Sequence, residues 1–117
     1  EESQLTRVLL SEKLGRTAEV KAALERTLAL APGDIEALSR LGRLLAEEGD
    51  ERAESLLSKA AEEGEPGAVY TFILARLMEK KGKGSEAAKL FERSLESGLS
   101  GHDMLIAREA LKRSKAQ

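Results

Sequence analysis

The stretch "PGDIEALSRLGRLLAEEGD", from Pro32 to Asp50, decides the fold because it contains one helix with a start signal and a stop signal. Pro32 cannot continue a preceding helix, and Asp34 can accept hydrogen bonds from the free N–H groups of a new one. Apolar residues then recur at helical spacing. Gly49 permits the left-handed conformation that ends many helices, and Asp50 can cap the next one. The stretch therefore predicts a helix over 34–48.

The same punctuation returns along the chain with a fixed period. Glycines, small residues, large apolar residues and the only two prolines recur 33 or 34 residues apart: Gly15, Gly49 and Gly82; Val20, Ala53 and Ala87; Leu24, Leu57 and Phe91; Pro32 and Pro66. A fixed period of about 20–50 residues is typical of proteins built from stacked structural repeats. The sequence thus predicts three successive copies of one unit.

Each unit divides at its glycine into two helices, and one further helix follows the third unit. The second helix of a unit carries apolar or small residues on one face, as in Ala53, Leu57 and Ala60. The final helix ends in the polar "KRSKAQ" and is interpreted as a cap over the last repeat. The predicted fold is all-α with seven helices, over 3–14, 17–31, 34–48, 50–64, 67–81, 85–97 and 101–115.

The composition of the 117-residue chain limits its function. Charged residues of both signs make up 34% of the chain and leave a net charge of −2, so no overall basic field attracts nucleic acid. Cysteine is absent, which excludes disulfides and thiolate chemistry, and no apolar run approaches the ~20 residues of a membrane span. Because the chain starts with Glu1 rather than Met, we expect it to be a segment of a longer protein. The sequence does not indicate a cellular compartment.

The periodic residues resemble tetratricopeptide repeats, whose unit is about 34 residues long. The matching positions are Leu38, Leu41, Gly42, Leu45, Ala53, Leu57, Ala60 and Pro66 in the second unit, Leu74, Ala75, Met78, Ala87, Phe91 and Ser94 in the third, and Val20, Leu24, Thr27, Leu28 and Pro32 in the first. The first helix departs from the pattern, since Gln4, Arg7 and Ser11 stand where apolar residues are expected. "KAAEEGEPGA", from Lys59 to Ala68, is also similar to the related Sel1-like repeats.

The resemblance implies a single domain over 1–117, with repeats at about 1–33, 34–66 and 67–100 and a capping helix over 101–115. The helix pairs would wind into a right-handed α-α superhelix, in which the first helices of successive repeats line a concave groove. Carried over to this sequence, the groove residues that we expect to bind a partner are Arg40, Arg43, Val69, Phe72, Ile73 and Arg76. Arginine binds carboxylates through two parallel hydrogen bonds, so the expected ligand is a protein or peptide segment with acidic groups.

Two other interpretations of these residues remain open. The arginines can be ordinary exposed helix residues that pair with Glu36, Glu47 and Glu79 at helical spacing. The apolar residues Val69, Phe72 and Ile73 can instead belong to the core, because "AVYTFILARLM" is apolar on nearly every side.

One binding mode of the family is excluded, and one feature of the first helix has two explanations. The tetratricopeptide clamp for the C-terminal carboxylate of chaperones uses lysine, arginine and asparagine at places that hold Leu5, Leu9, Arg40, Val69 and Ile73 here. Chaperone-tail binding is therefore not expected. Leu5, Val8, Leu9 and Leu10 give the first helix a broad apolar arc, which indicates either contact with a preceding repeat or self-association.

The chain lacks the residue patterns that catalysis requires. His102 is the only histidine, and there is no glycine-rich phosphate loop, no spacing typical of metal ligands and no cofactor motif. Nucleic-acid binding is not expected, because acidic residues interrupt the groove arginines and only Phe72 could stack on a base. The sequence predicts a non-enzymatic protein-binding module. The alternative is a structural spacer or self-associating segment of a larger repeat array.

Overall fold

The computed structural model describes the backbone of residues 4–116 and the side chains of residues 15–114. These residues form six α-helices and no strand, so the all-α prediction is confirmed for the part of the chain that is described. None of the helices in this part combines the length and the apolar character that a bilayer span requires. The helices are α1 (Gln4–Leu30), α2 (Ile35–Glu47), α3 (Arg52–Glu63), α4 (Ala68–Lys80), α5 (Gly84–Glu96) and α6 (Gly101–Ala116).

From residue 34 onward, the predicted helix boundaries agree with the structure within two residues. The capping and stop signals explain this agreement. The side chain of Asp34 accepts a hydrogen bond from the N–H of Ala37 at 3.0 Å and starts α2. Gly49 ends α2 at φ 75°. The next N–H, that of Asp50, donates to the carbonyl of Leu45 at 2.9 Å, and this bond closes the helix end.

The seven-helix count is not confirmed, because residues 4–30 form one continuous helix instead of two. Gly49 and Gly82 adopt positive φ of 75° and 79° and turn the chain, whereas Gly15 lies inside α1 without a positive φ. A turn at Gly15 would give up helical hydrogen bonds, and Arg16 has no side-chain acceptor that could cap a new helix there. The side chains of Leu5, Val8, Leu9 and Leu10, to which the apolar arc was assigned, lie outside the described ones.

The core is built from two helix hairpins, α2 with α3 and α4 with α5. The repeated alanines lie where these helices cross, since Ala53 is 0% exposed and Ala87 is 2% exposed. Phe72 of α4 and Phe91 of α5 meet edge to face, with 5.9 Å between ring centroids. Helix α6 packs on α5 through Ala107 and Ala110, which are both buried.

Gly42 permits the close approach of α3 to α2. A Cβ atom at this position would lie 2.7 Å from Cγ and 2.9 Å from Cδ2 of Leu57, and 3.5 Å from its backbone nitrogen. Leu57 is itself buried in the core, so its side chain has no free space into which to move. The glycine in the middle of α2 is therefore a packing residue rather than a flexible point.

Candidate functional site

An open cleft of about 380 Å³ lies between α2 and α4 and extends to the start of α6. Five of the six residues predicted from the sequence line it: Arg43, Val69, Phe72, Ile73 and Arg76. Their spacing explains this convergence, because residues 69, 72, 73 and 76 share one face of α4. The other lining residues are Ala46, Glu47, Leu77, Lys80 and Asp103.

The sixth predicted residue, Arg40, lies in an adjoining cleft of about 360 Å³. Arg43 and Glu47 line both clefts, so the two spaces form one groove along α2. Val20 of α1 and Tyr70 of α4 also line the second cleft. The structure thus brings the predicted residues onto one surface but places Arg40 at its edge.

The two arginines of α2 are paired with acids of their own helix. Arg40 lies 2.7 Å from a carboxylate oxygen of Glu36, and Arg43 lies 3.5 Å from Glu47. All four side chains are exposed, so each pair contributes about 0.3–0.5 kcal/mol. Arg40 and Arg43 are thus exposed residues paired at helical spacing, as one of the two sequence interpretations has it.

The basic residues of α4, Arg76 and Lys80, differ from the arginines of α2 in their contacts. The guanidinium carbon of Arg76 lies 5.9 Å from the ring centroid of Phe72, a cation–π contact. Neither Arg76 nor Lys80 has an acidic partner among the described residues, and Glu79 pairs instead with Arg113 of α6 at 3.2 Å. Arg76 and Lys80 stand one helical turn apart, so they place two positive charges at the same end of the groove.

The three apolar residues differ in burial. Phe72 is 4% exposed and belongs to the core, whereas Val69 is 42% exposed and Ile73 is half-buried. The core interpretation is therefore right for Phe72, which also lines the cleft. Val69 and Ile73 present the apolar surface that a ligand could cover.

Sequence reasoning did not assign Asp103 to the groove, although α6 places it there. The signal was present, because Asp103 follows Val69 by 34 residues and so occupies the same place in the period. The last helix was interpreted only as a cap, and its contribution to the groove was missed. Asp103 adds a negative charge to the lining of the groove.

The lining of the groove combines apolar residues with charged residues of both signs. Among the described residues, no cluster of acidic or histidine side chains could hold a metal ion.

Glu54 of α3 lies close to the α4–α5 turn. Hydrogen bonds from Lys81 and Lys83 lower the pKa of its carboxyl group. This network joins two successive turns and lies outside the groove.

Comparison with known proteins finds no family whose sequence model matches the chain and no curated protein that matches it. The resemblance to tetratricopeptide repeats therefore stays a prediction from the sequence.

Proposed function

We propose that the chain is a non-enzymatic protein-binding module of the tetratricopeptide kind. In this proposal the helix pairs belong to a right-handed superhelix of three repeats, α6 is its capping helix, and the groove along α2 and α4 receives a partner segment. The two hairpins and their 33- and 34-residue period support the repeat assignment. The convergence of Arg43, Val69, Ile73 and Arg76 on one cleft supports the binding surface.

The single observation that carries the proposal is the order of the residues that α4 presents to the groove. Its groove face presents Val69 and Ile73, then Arg76, then Lys80. Ile73 and Lys80 are seven residues apart, which corresponds to about 10 Å along a helix and to about three residues of an extended peptide. The proposed ligand therefore carries an apolar side chain and, about three residues away, an acidic one.

Arg76 and Lys80 are the cations best placed to bind such an acid. Arg40 and Arg43 must leave Glu36 and Glu47 before they can pair with a ligand, whereas no described acid competes for Arg76 or Lys80. A carboxylate that binds between Arg76 and Lys80 would receive charge-assisted hydrogen bonds without breaking an existing pair. The apolar contacts supply affinity, and the position of the acid fixes the register.

A display library of twelve-residue random peptides, selected on the wild-type chain, tests the proposal. We expect enriched peptides to combine an apolar residue with an acid about three residues away. Binding of a synthetic copy should weaken about tenfold or more in Lys80→Glu, because a charge-assisted contact becomes a repulsion. Fluorescence anisotropy of the labelled peptide measures this change.

Lys59→Glu is the matched control, since Lys59 is exposed on α3 and lines neither cleft of the groove. It makes the same change of charge and should alter binding less than about twofold. Failure to enrich any peptide, or an equal loss in the two variants, would contradict the groove proposal. Either result would favour the alternative, a structural segment whose groove has no ligand.

A further inference from the structure

The second half of α1 exposes residues whose counterparts in the other two periods are buried. Val20 is 48% exposed, whereas Ala53 and Ala87, at the same place in the period, are 0% and 2% exposed. Thr27 is likewise exposed, and its counterparts Ala60 and Ser94 are both 0% exposed. Because the period relates these residues, the difference lies in what covers them and not in their place within the unit.

In the other two periods the covering element is the preceding helix. The chain turns at Gly49 and at Gly82, so that α2 packs on α3 and α4 packs on α5. At Gly15 it does not turn, and residues 4–14 continue in line with the rest of α1. The helix is about 40 Å long, and its first 11 residues extend about 16 Å beyond the point where a hairpin would fold back. The position of the covering helix is thus empty in the first period.

The uncovered face forms an apolar stripe along α1, made of Val20, Ala23, Thr27 and Leu30. These residues are spaced by three, four and three positions, so they share one side of the helix. Leu30 is 90% exposed, but its counterparts Glu63 and Ser97 are exposed as well, so the comparison between periods rests on Val20 and Thr27. Leu24 and Leu28 lie on a different side and pack against the core cluster formed by α2 and α3.

The stripe continues into the adjoining cleft of about 360 Å³, where Val20 faces the α2 residues Arg40 and Leu44. A helix laid along α1 at this point would contact α1 and α2 together. In the second period α2 holds this relation, since it packs on α3, the second helix of its own unit, and also contacts α4, the first helix of the next unit. The space beside Val20 therefore corresponds to the position of a first helix of a repeat.

We propose that residues 4–14 of a second copy of this chain occupy this position, and that the two copies exchange these segments reciprocally. In the sequence, Leu5, Val8 and Leu9 recur at the i, i+3 and i+4 spacing of an apolar helix face. This segment is the part of the chain whose counterparts cover the equivalent residues in the other periods. Its own α1 carries it away from the stripe, so in this conformation only another copy can supply it.

Gly15 is the hinge of this exchange. In an exchange of identical elements the contacts between a segment and its docking face are kept, and only the connecting residues change conformation. Gly15 occupies the place of the turn glycines Gly49 and Gly82 but has helical neighbours on both sides. The twofold arrangement covers two stripes with two segments, which leaves neither surface exposed.

Light scattering combined with gel filtration tests the proposal on the full chain. We expect a particle of twice the 12.7 kDa chain mass. The double variant Val20→Glu with Thr27→Glu places charges on the docking face and should give a monomer, while the circular dichroism of the helices persists. Ala18→Glu is the matched control, because Ala18 is also exposed and lies about 160° around α1 from Val20. It should remain a dimer.

A wild-type monomer at several hundred micromolar, or a dimer unaffected by the double variant, would overturn the proposal. A second measurement identifies the contact directly, since the chain has no cysteine to interfere with labelling. Ser11→Cys chain that carries a spin label is refolded together with isotope-labelled wild-type chain. We expect selective broadening of the amide signals of residues 20–30 in the isotope-labelled wild-type copy. Absence of this broadening in a mixed dimer would equally overturn the proposal.

The inference does not depend on the proposed peptide groove. Lys80→Glu removes peptide binding without touching the stripe. Val20 lines the adjoining cleft beside Arg40, but the Val20 and Thr27 substitutions leave the α4 contacts of the proposed peptide in place. Loss of one property while the other persists distinguishes the two proposals.

Discussion

Replacement of Gly42 by alanine tests the packing of α2 on α3 with a single methyl group. The added Cβ would lie 2.7 Å from Cγ of Leu57 and 2.9 Å from its Cδ2. Carbon atoms in contact prefer separations of about 3.5–4.0 Å, so one of the two helices must move by about 1 Å. Leu57 is 1% exposed and is part of the core, which leaves it no free space.

Two opposing effects decide the magnitude. Overpacking of a dense core costs about 1–3 kcal/mol, and we take the upper half because the overlap involves the branching carbon of a fully buried leucine. Alanine in place of glycine within a helix contributes about 1 kcal/mol in the favourable direction. The net expectation for Gly42→Ala is a loss of about 1–2 kcal/mol in the free energy of unfolding. The melting temperature should fall by about 4 °C per kcal/mol.

Gly15→Ala is the matched control, because Gly15 is also helical but a Cβ there meets nothing within 4 Å. It should gain about 0.5–1 kcal/mol from helix propensity alone. Urea unfolding followed by circular dichroism at constant m-value compares the two. Stabilisation by both variants would refute the close contact of Gly42 with Leu57. Destabilisation by Gly15→Ala would mean that Gly15 forms a turn rather than part of α1.

Two further predictions concern a helix cap and an acid-sensitive ion pair. Asp34→Ala should lower stability by about 1 kcal/mol in thermal unfolding, because α2 loses its capping carboxylate, while Asp34→Asn should keep most of it. For Glu54, the hydrogen bond from Lys81, and then that from Lys83, lowers the pKa below its ordinary value of 4.5. The unfolded chain therefore binds more protons than the folded one between the two pKa values, so this stabilisation is present above about pH 4.5 and is lost as the pH falls through the folded pKa. Glu54→Gln should be less stable than wild type at pH 7, and the two unfolding curves should converge at lower pH; a constant difference would contradict the shift.

Much of the fold is predictable from the sequence because its signals are local. Gly49 and Gly82 end helices, Asp34 starts one, and the alanines at 53 and 87 mark helix crossings. These positions depend on backbone conformation and on side-chain size, both of which the residue type determines. They account for both ends of α2 and for the end of α4.

The first helix was not predictable from the period alone. Gly15 has the same place in the period as Gly49, yet a glycine alone does not make a turn. At Gly49 the next residue, Asp50, supports the turn, since its carboxylate accepts a hydrogen bond from the N–H of Arg52 at 2.9 Å. The residue after Gly15 is Arg16, which has no side-chain acceptor for this role.

The groove was predictable as a surface but not in its electrostatics. The helical spacing of Val69, Ile73 and Arg76 is sufficient to place them on one face of α4. Which cations are paired depends on side-chain positions, and the structure separates Arg40, held by Glu36, from Arg76, which lies over Phe72. The contribution of Asp103 depends on how α6 packs on the last hairpin, and that is a tertiary property.

The packing of each helix on its neighbours in the chain has a consequence for how the molecule folds. The main contacts join helices that are adjacent in the chain, and α2 also contacts α4. Low sequence separation between contacting residues favours fast folding, and hairpins of this kind can form before the whole chain is ordered. Helices α1 and α6 each have one main partner, α2 and α5 respectively, so partial opening should start at the ends of the chain and spread toward the central hairpins. A chain of this type can release one end while the rest stays folded.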